Sequence, residues 1–484
     1  MRATTRPILA AFLAVLTVLE VAAPAVARPA AVIEWQPCPA APAAQCTTLR
    51  VPVDWADPYS PKAGIALVRR PATDPARRIG VLIVNPGGPG ASGVDFVLDA
   101  DAFFSANLRA RFDIVGFDPR GVARSNPVVC SAALVAAAPS PLITGQAQYD
   151  TMVAYNQKLA ADCRQRTGAM FDHVDTLSVV RDMDAVRAEL GEQKISFYGA
   201  SYGTLLGAQY AQRYPQRIRA VVLDSVMDHS ADVDNLLGTE TAAVQDAFDQ
   251  FAAWCGRDVS CVLHGQDVRA IWANLMARSA AGTLSDPYHA DARMTVFALL
   301  GVAFSSFYTP QWYTLAHYLK AASRPAAGIR AVGPAATAQN FSAMFCADWS
   351  LPIRGYADLA GKLAALKIRA PQMLASPLAL TVTVGCLGWP SKPVNPQRDL
   401  RPVATPILVV NGRHDPATAY AWARHVTAQL GPAARLFSYD GWGHVVYGRT
   451  GCVTGAIDTY LVTERTPAPG ASCPGVVPPP FGVG

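Results

Sequence analysis

Five residues, Gly199-Ala200-Ser201-Tyr202-Gly203, join the apolar run Ile195-Ser196-Phe197-Tyr198 to the helical run Thr204 to Tyr214. A chain that passes from strand to helix in so few residues must turn sharply, and the serine at the apex is held in a strained conformation with its hydroxyl aimed into a cleft. Only small residues fit two positions to either side, and glycine stands at both. An ordinary strand-turn-helix cluster of glycines is the plainer reading of five such residues. What separates the two is whether other segments bring complementary chemistry to the same edge of a sheet.

Three segments do so, and in a defined order. Val81 to Val84 runs into Asn85-Pro86-Gly87-Gly88-Pro89-Gly90, a loop whose glycines let backbone N–H groups approach a developing negative charge. Far downstream, Pro406 to Val410 leads into Asn411-Gly412-Arg413-His414-Asp415, which places a carboxylate just past the end of a buried strand. After a further strand-like piece, Arg435 to Tyr439, comes Gly441-Trp442-Gly443-His444, where small neighbours let an imidazole swing. Nucleophile, acid and base in the order Ser201, Asp415, His444 is the order of the α/β-hydrolases and differs from the chymotrypsin and subtilisin orders. His444 is expected to take the Ser201 proton, Asp415 to hold the imidazole, and the N–H of Tyr202 together with one from the Gly87-Gly88 turn, at Gly88 or Gly87, to form the oxyanion hole. His414 is the rival base and reads as a packing or hydrogen-bonding residue. Asp440 and Asp458 are rival acids that follow no long apolar run and read as solvated loop and helix residues.

Strand-like runs at Ile79 to Val84, Phe112 to Phe117, Ile195 to Tyr198 and Ala220 to Leu223 alternate with helical spacing, as at Val179, Met183, Val186 and Leu190. That alternation predicts an α/β fold, a mostly parallel, doubly wound sheet with helices on both faces. Beyond Asp228 the apolar spacing turns helical, with Val244, Phe248, Phe251 and Cys255 on one face, and strands resume near Pro402. The expected organisation is a core half over 28–228, a helical cap insertion over 229–396 and the rest of the core over 397–484, ending in an irregular Pro/Gly-rich tail clipped by Cys473. Ahead of these, Arg2, Arg6, the apolar stretch Ile8 to Leu19 and Ala25-Val26-Ala27 read as an export signal over 1–27, cleaved near Ala27. An apolar stretch of about twelve residues is too short to span a bilayer stably, so no stable membrane insertion is expected.

Export suits the ten cysteines, Cys38, Cys46, Cys130, Cys163, Cys255, Cys261, Cys346, Cys386, Cys452 and Cys473. An even number allows up to five disulfides, and the spacing lets each cysteine pair with its nearest neighbour in sequence, although other connectivities are open. None forms a CxxC pair and no histidine cluster accompanies them, so no metal site is expected, nor any cofactor. The net charge of +5 over 484 residues includes both signal arginines, and no basic run interleaves with aromatics. Nucleic acid is therefore discounted as a partner.

Several segments together resemble the secreted bacterial tripeptidyl aminopeptidases of the proline-iminopeptidase-like α/β-hydrolases. They are Cys46 to Asp54, Asn85 to Gly93, Gly116-Phe117-Asp118-Pro119-Arg120-Gly121, Gly199 to Gly203 and Gly441 to Cys452. Departures are Ala419, where the family usually has proline, and Ala123, where glycine is common. The resemblance implies an exported serine exopeptidase that releases short peptides from substrates with a free N-terminus, the cap closing one end of the cleft. It also implies that Arg120 lies in a loop bracing the catalytic region. Such a substrate's ammonium needs an anchor, for which Glu240 and Asp348 are the candidate carboxylates, against the plainer reading of solvated helix residues. The rivals are an exported carboxylesterase or lipase with the same triad, because triad and fold leave the acyl substrate open, and a catalytically silent binding protein on this scaffold.

Overall fold

A computed structural model describes residues 34–39, 41–57, 59–289, 292–323 and 340–478. The export signal read over 1–27 lies outside the described residues. Ten strands form one sheet: β1 (Gln36–Cys38), β2 (Ala41–Pro52), β3 (Lys62–Arg70), β4 (Gly80–Asn85), β5 (Phe112–Phe117), β6 (Ile195–Ala200), β7 (Ile218–Asp224), β8 (Ile407–His414), β9 (Ala434–Trp442) and β10 (Ser472–Pro474). Their order across the sheet is β1-β2-β3-β5-β4-β6-β7-β8-β9-β10. From β5 to β10 every neighbour is parallel, while β1, β2 and β3 add an antiparallel edge.

The unbroken apolar runs of the central strands follow from burial on both faces. Successive side chains point to opposite sides, so Val81 and Ile83 join one core and Leu82 and Val84 the other. The first core includes Val179, Val180, Met183 and Val186 of the helix Thr176–Glu189 and Ala423 and Val426 of the helix Tyr420–Leu430. The second includes Val94 and Val97 of the helix Gly93–Leu98 and Val453, Ile457 and Leu461 of the helix Gly451–Thr463.

The chain adds β5 on one side of β4 and β6 on the other, so the strand order reverses between β4 and β6. A crevice opens outside the carboxyl ends of parallel strands at such a switch point. The register brings those ends level, with Asn85 beside Gly199, Ala200 beside Asp224 and Asp224 beside Val410.

Between β7 and β8 the described elements are helices, including Val233–Arg257, Val268–Ala280, Val296–Tyr308, Trp312–Ala322, Phe341–Asp348, Tyr356–Arg369 and Pro377–Gly385. The tail read as irregular contains a short strand, β10, which pairs with β9 and is held by the Cys452–Cys473 disulfide. The remaining disulfides are Cys38–Cys46, Cys130–Cys163, Cys255–Cys261 and Cys346–Cys386, so every cysteine joins its nearest neighbour. Among the described residues, no helix is long and apolar enough to cross a membrane.

Candidate active site

Ser201 sits between β6 and the helix Gly203–Arg213 with φ of 55°, in the left-handed region that non-glycine residues seldom occupy. Its N–H donates to the Asp224 carbonyl at 2.9 Å, which fixes the turn to the end of β7. The two flanking glycines are required by close approach: a Cβ at 199 would lie 2.4 Å from the Gly203 carbonyl oxygen, and one at 203 would lie 2.5 Å from that of Asn85.

Asp415 follows β8 and is fully buried. Its Oδ1 accepts the N–H groups of Ala417 at 2.9 Å and Thr418 at 3.0 Å, and its Oδ2 accepts the Thr418 hydroxyl at 2.8 Å. His444 Nδ1 lies 3.0 Å from Oδ2 and 3.1 Å from Oδ1. Burial pushes the Asp415 pKa up, but the His444 imidazole and these N–H donors outweigh it, and the carboxyl is held below its usual range. With Nδ1 so engaged, His444 Nε2 is buried without a hydrogen-bond partner among the described residues.

The loop carrying His444 is anchored by a residue pair that sequence reasoning passed over. Asp224, buried at the end of β7, accepts the N–H groups of Val446 at 3.0 Å and Tyr447 at 2.9 Å and the Tyr198 hydroxyl at 2.8 Å. Ser225 Oγ accepts the Val445 N–H at 2.9 Å. Val445 has φ of 61°, a costly conformation for a β-branched residue, which these bonds hold in place. The signal was present: Ala220 to Leu223 ends in Asp224 just as the run before Asp415 ends in a carboxylate.

The glycine loop packs directly on the elbow, since a Cβ on Gly87 would lie 2.5 Å from the Ala200 carbonyl oxygen and 2.8 Å from the Tyr202 nitrogen. The two expected glycine donors differ. Gly87 N–H already donates to Asn85 Oδ1 at 3.0 Å, whereas Gly88 borders one cavity with Ser201 and Tyr202.

That cavity is also lined by Met227, Phe345, Leu378, Val382 and Glu240. Glu240 is not the solvated helix residue of the plainer reading. Its Oε1 accepts the Ser376 hydroxyl at 2.5 Å and the Ala379 N–H at 3.0 Å, and burial raises its pKa to about 8. Asp348 is also buried but lines a different cavity. Its carboxylate is taken up by the Thr176 N–H at 2.9 Å and hydroxyl at 2.5 Å, the Tyr202 hydroxyl at 2.6 Å and Asn395 Nδ2 at 2.8 Å.

The rivals lie apart from this cluster. His414 Nδ1 is 2.6 Å from Asp246, with its ring stacked near Trp442. Asp440 pairs with Arg413. Asp458 is buried rather than solvated and accepts the hydroxyls of Ser105 at 2.5 Å and Tyr447 at 2.8 Å. Arg120, also buried, is bidentate to Asp182 and donates to the Val53 carbonyl, a structural clamp.

Residues 80–448 match the family described as the alpha/beta hydrolase fold. The chain is similar to Serine protease Hip1 of Mycobacterium tuberculosis, 30% identical across 91% of each chain. It is also similar to the Tripeptidyl aminopeptidase of Streptomyces lividans, 30% identical across 93% of this chain and 88% of that one. Carboxylesterase B of Mycobacterium tuberculosis is 33% identical across 89% of this chain and 86% of the relative.

Proposed function

The chain belongs to the α/β-hydrolase family, and from that premise we propose that this serine peptidase is an exported aminopeptidase working through Ser201, His444 and Asp415. The bond from His444 to Asp415 at 3.0 Å fixes the tautomer that leaves Nε2 as acceptor. Nε2 takes the Ser201 proton as Oγ attacks the carbonyl carbon, and returns it to the leaving amine. The N–H groups of Gly88 and Tyr202 receive the oxyanion. Water then repeats the sequence on the acyl-enzyme.

The observation that carries aminopeptidase action is Glu240, a buried carboxyl bordering the same cavity as the nucleophile. Among the described residues, both its hydrogen bonds fall on Oε1. In an apolar enclosure a carboxylate is costly unless a cation pairs with it, and a substrate ammonium supplies that cation. Asp348, already engaged by four donors, supports the elbow through the Tyr202 hydroxyl. The segment over 229–396, helical where it is described, serves as the cap that closes the cleft, and the five disulfides are compatible with export.

The test compares a free-amine tripeptide chromogenic amide, its N-acetylated twin and a short-chain aryl ester, on wild type and Ser201→Ala. Cleavage of the free amide alone, lost in the variant, is expected. An apolar cavity wall and the carboxylesterase relative favour the second reading, an esterase; ester turnover with neither amide cleaved would establish it.

A further inference from the structure

His444 sits in a loop with little stiffness of its own. Gly443 before it has φ of 95° and Val445 after it φ of 61°, both in the left-handed region. Asp224 and Ser225 hold the backbone donors that follow, which leaves the N–H of His444 and the carbonyls of His444 and Val445 to be satisfied elsewhere. The helix Val296–Tyr308 and Arg449 supply those partners. The carbonyl of Tyr308, the helix's last residue, accepts the His444 N–H at 2.8 Å, and its ring lies against the imidazole with centroids 4.4 Å apart. Arg449 Nε donates to the Val445 carbonyl at 2.7 Å, while its Nη2 donates to the His444 carbonyl at 2.6 Å and reaches the Tyr308 carbonyl at 3.5 Å. A Cβ at 443 would lie 2.6 Å from Pro310 Cδ and 2.7 Å from Arg449 Nη2, so glycine there lets the two segments close around the loop.

We propose that Arg449 is a positioning residue, whose guanidinium ties the His444 backbone to the carboxyl end of the insertion's helix and so aims the imidazole between Asp415 and Ser201. The inference rests on the triad reading above. Among the described residues the bonds of this guanidinium go to carbonyl oxygens and none to a carboxylate. Burial disfavours the cation and lowers its pKa, and the charges of Asp415 and Asp224 offset only part of that cost. A buried cation without an ionic partner is a poor source of stability. What it supplies is geometry: a planar fork with donors in fixed directions holds two successive carbonyls and reaches a third on another element, which a compact ammonium cannot do. The last carbonyls of a helix lack partners within it and carry the negative end of its dipole, so the Tyr308 carbonyl attracts both an N–H and a cation. With the backbone held on both sides of its Cα, His444 keeps only its side-chain torsions, and Asp415 sets those through Nδ1. Because Tyr308 belongs to the insertion, the aim of the base depends on that segment being docked on the core.

Arg449→Met removes the fork and strands no opposite charge, so the fold should survive it. Two rates are measured on wild type, Arg449→Met, Arg449→Lys and His444→Ala: the second-order modification of Ser201 by a fluorophosphonate, followed by intact mass, and turnover of the free-amine tripeptide amide. In Arg449→Met both the modification rate and kcat are expected to fall about 10- to 100-fold, as a misaimed base gives, with KM within about twofold and thermal melting near wild type. Arg449→Lys keeps the charge without the fork, and its rates should lie between those of wild type and Arg449→Met. An arginine present only for stability would show the reverse, a lower melting temperature with wild-type rates from the folded enzyme, and that result would overturn the proposal. Should Arg449→Met fail to fold, Arg449→Lys decides alone: a loss of about fivefold or more supports the proposal and anything smaller overturns it. Wild-type modification in His444→Ala would remove the base itself, and the proposal with it. Should wild type react with the fluorophosphonate yet cleave no free-amine amide, the aminopeptidase reading fails on its own, and the modification rates still decide the role of Arg449.

Discussion

Asp224 holds the nucleophile turn and the histidine loop in one frame: its carbonyl accepts the Ser201 N–H, and its carboxylate accepts the two N–H groups that follow Val445. Asp224→Ala would leave those donors and the Tyr198 hydroxyl buried without a partner. The expected cost is about 2 to 4 kcal/mol of stability, read as a lower melting temperature, with kcat falling more than KM rises as the His444 loop loosens. Glu240 makes a different prediction. Its folded pKa of about 8 lies above the ordinary 4.5. Between those values the folded state keeps a proton that the unfolded chain releases, so this group contributes stability at acid pH that is lost as pH rises towards 8. Glu240→Gln has nothing to titrate. Its melting temperature should gain on wild type between pH 5 and pH 8, and a constant difference across that range would contradict a protonated, buried Glu240.

Elements matter here chiefly through where they end. The β4 loop and the elbow after β6 meet at the switch point, and Gly87 lies so close to the elbow that no side chain fits between them. Gly87→Ala, at φ of 91° and 2.5 Å from the Ala200 carbonyl oxygen, must displace one loop or the other. A shift of even about 1 Å at a catalytic group can cost roughly 100-fold. We therefore expect Gly87→Ala to lose at least about that factor in fluorophosphonate reactivity while its far-ultraviolet circular dichroism stays near wild type. A reactivity within about threefold of wild type would mean that the loop is not tightly coupled to Ser201.

At the scale of the whole molecule, five disulfides bind segments near in sequence, and their loops differ in length. Cys130–Cys163 and Cys346–Cys386 close separations of 33 and 40 residues, against 6 for Cys255–Cys261. Chain-entropy reasoning assigns about 4 kcal/mol to each long loop and about 2 kcal/mol to the shortest. Removing either long bridge by paired Cys→Ser substitution should lower the denaturant midpoint about twice as far as removing Cys255–Cys261. Equal effects would point to native-state packing instead of loop closure.

By itself the sequence determined the elements that carry chemistry, because local rules govern them. A serine flanked by glycines between an apolar run and a helical run allows one kind of turn, and a carboxylate after a buried apolar run marks the end of a strand. The parallel core, and the turn or strand-end positions of Ser201, Asp415 and His444, were legible for that reason. The antiparallel strands β1 to β3 were not read as strands, since Ala41-Pro42-Ala43-Ala44 gives β2 little apolar contrast. Tertiary structure alone decided which buried acid shares a cavity with Ser201, Glu240 and not Asp348. It alone made Asp224 the clamp of the histidine loop and set Tyr308 against His444. Each of these depends on contacts between residues remote in the chain, and their energies come from burial and hydrogen-bond geometry that no local pattern encodes.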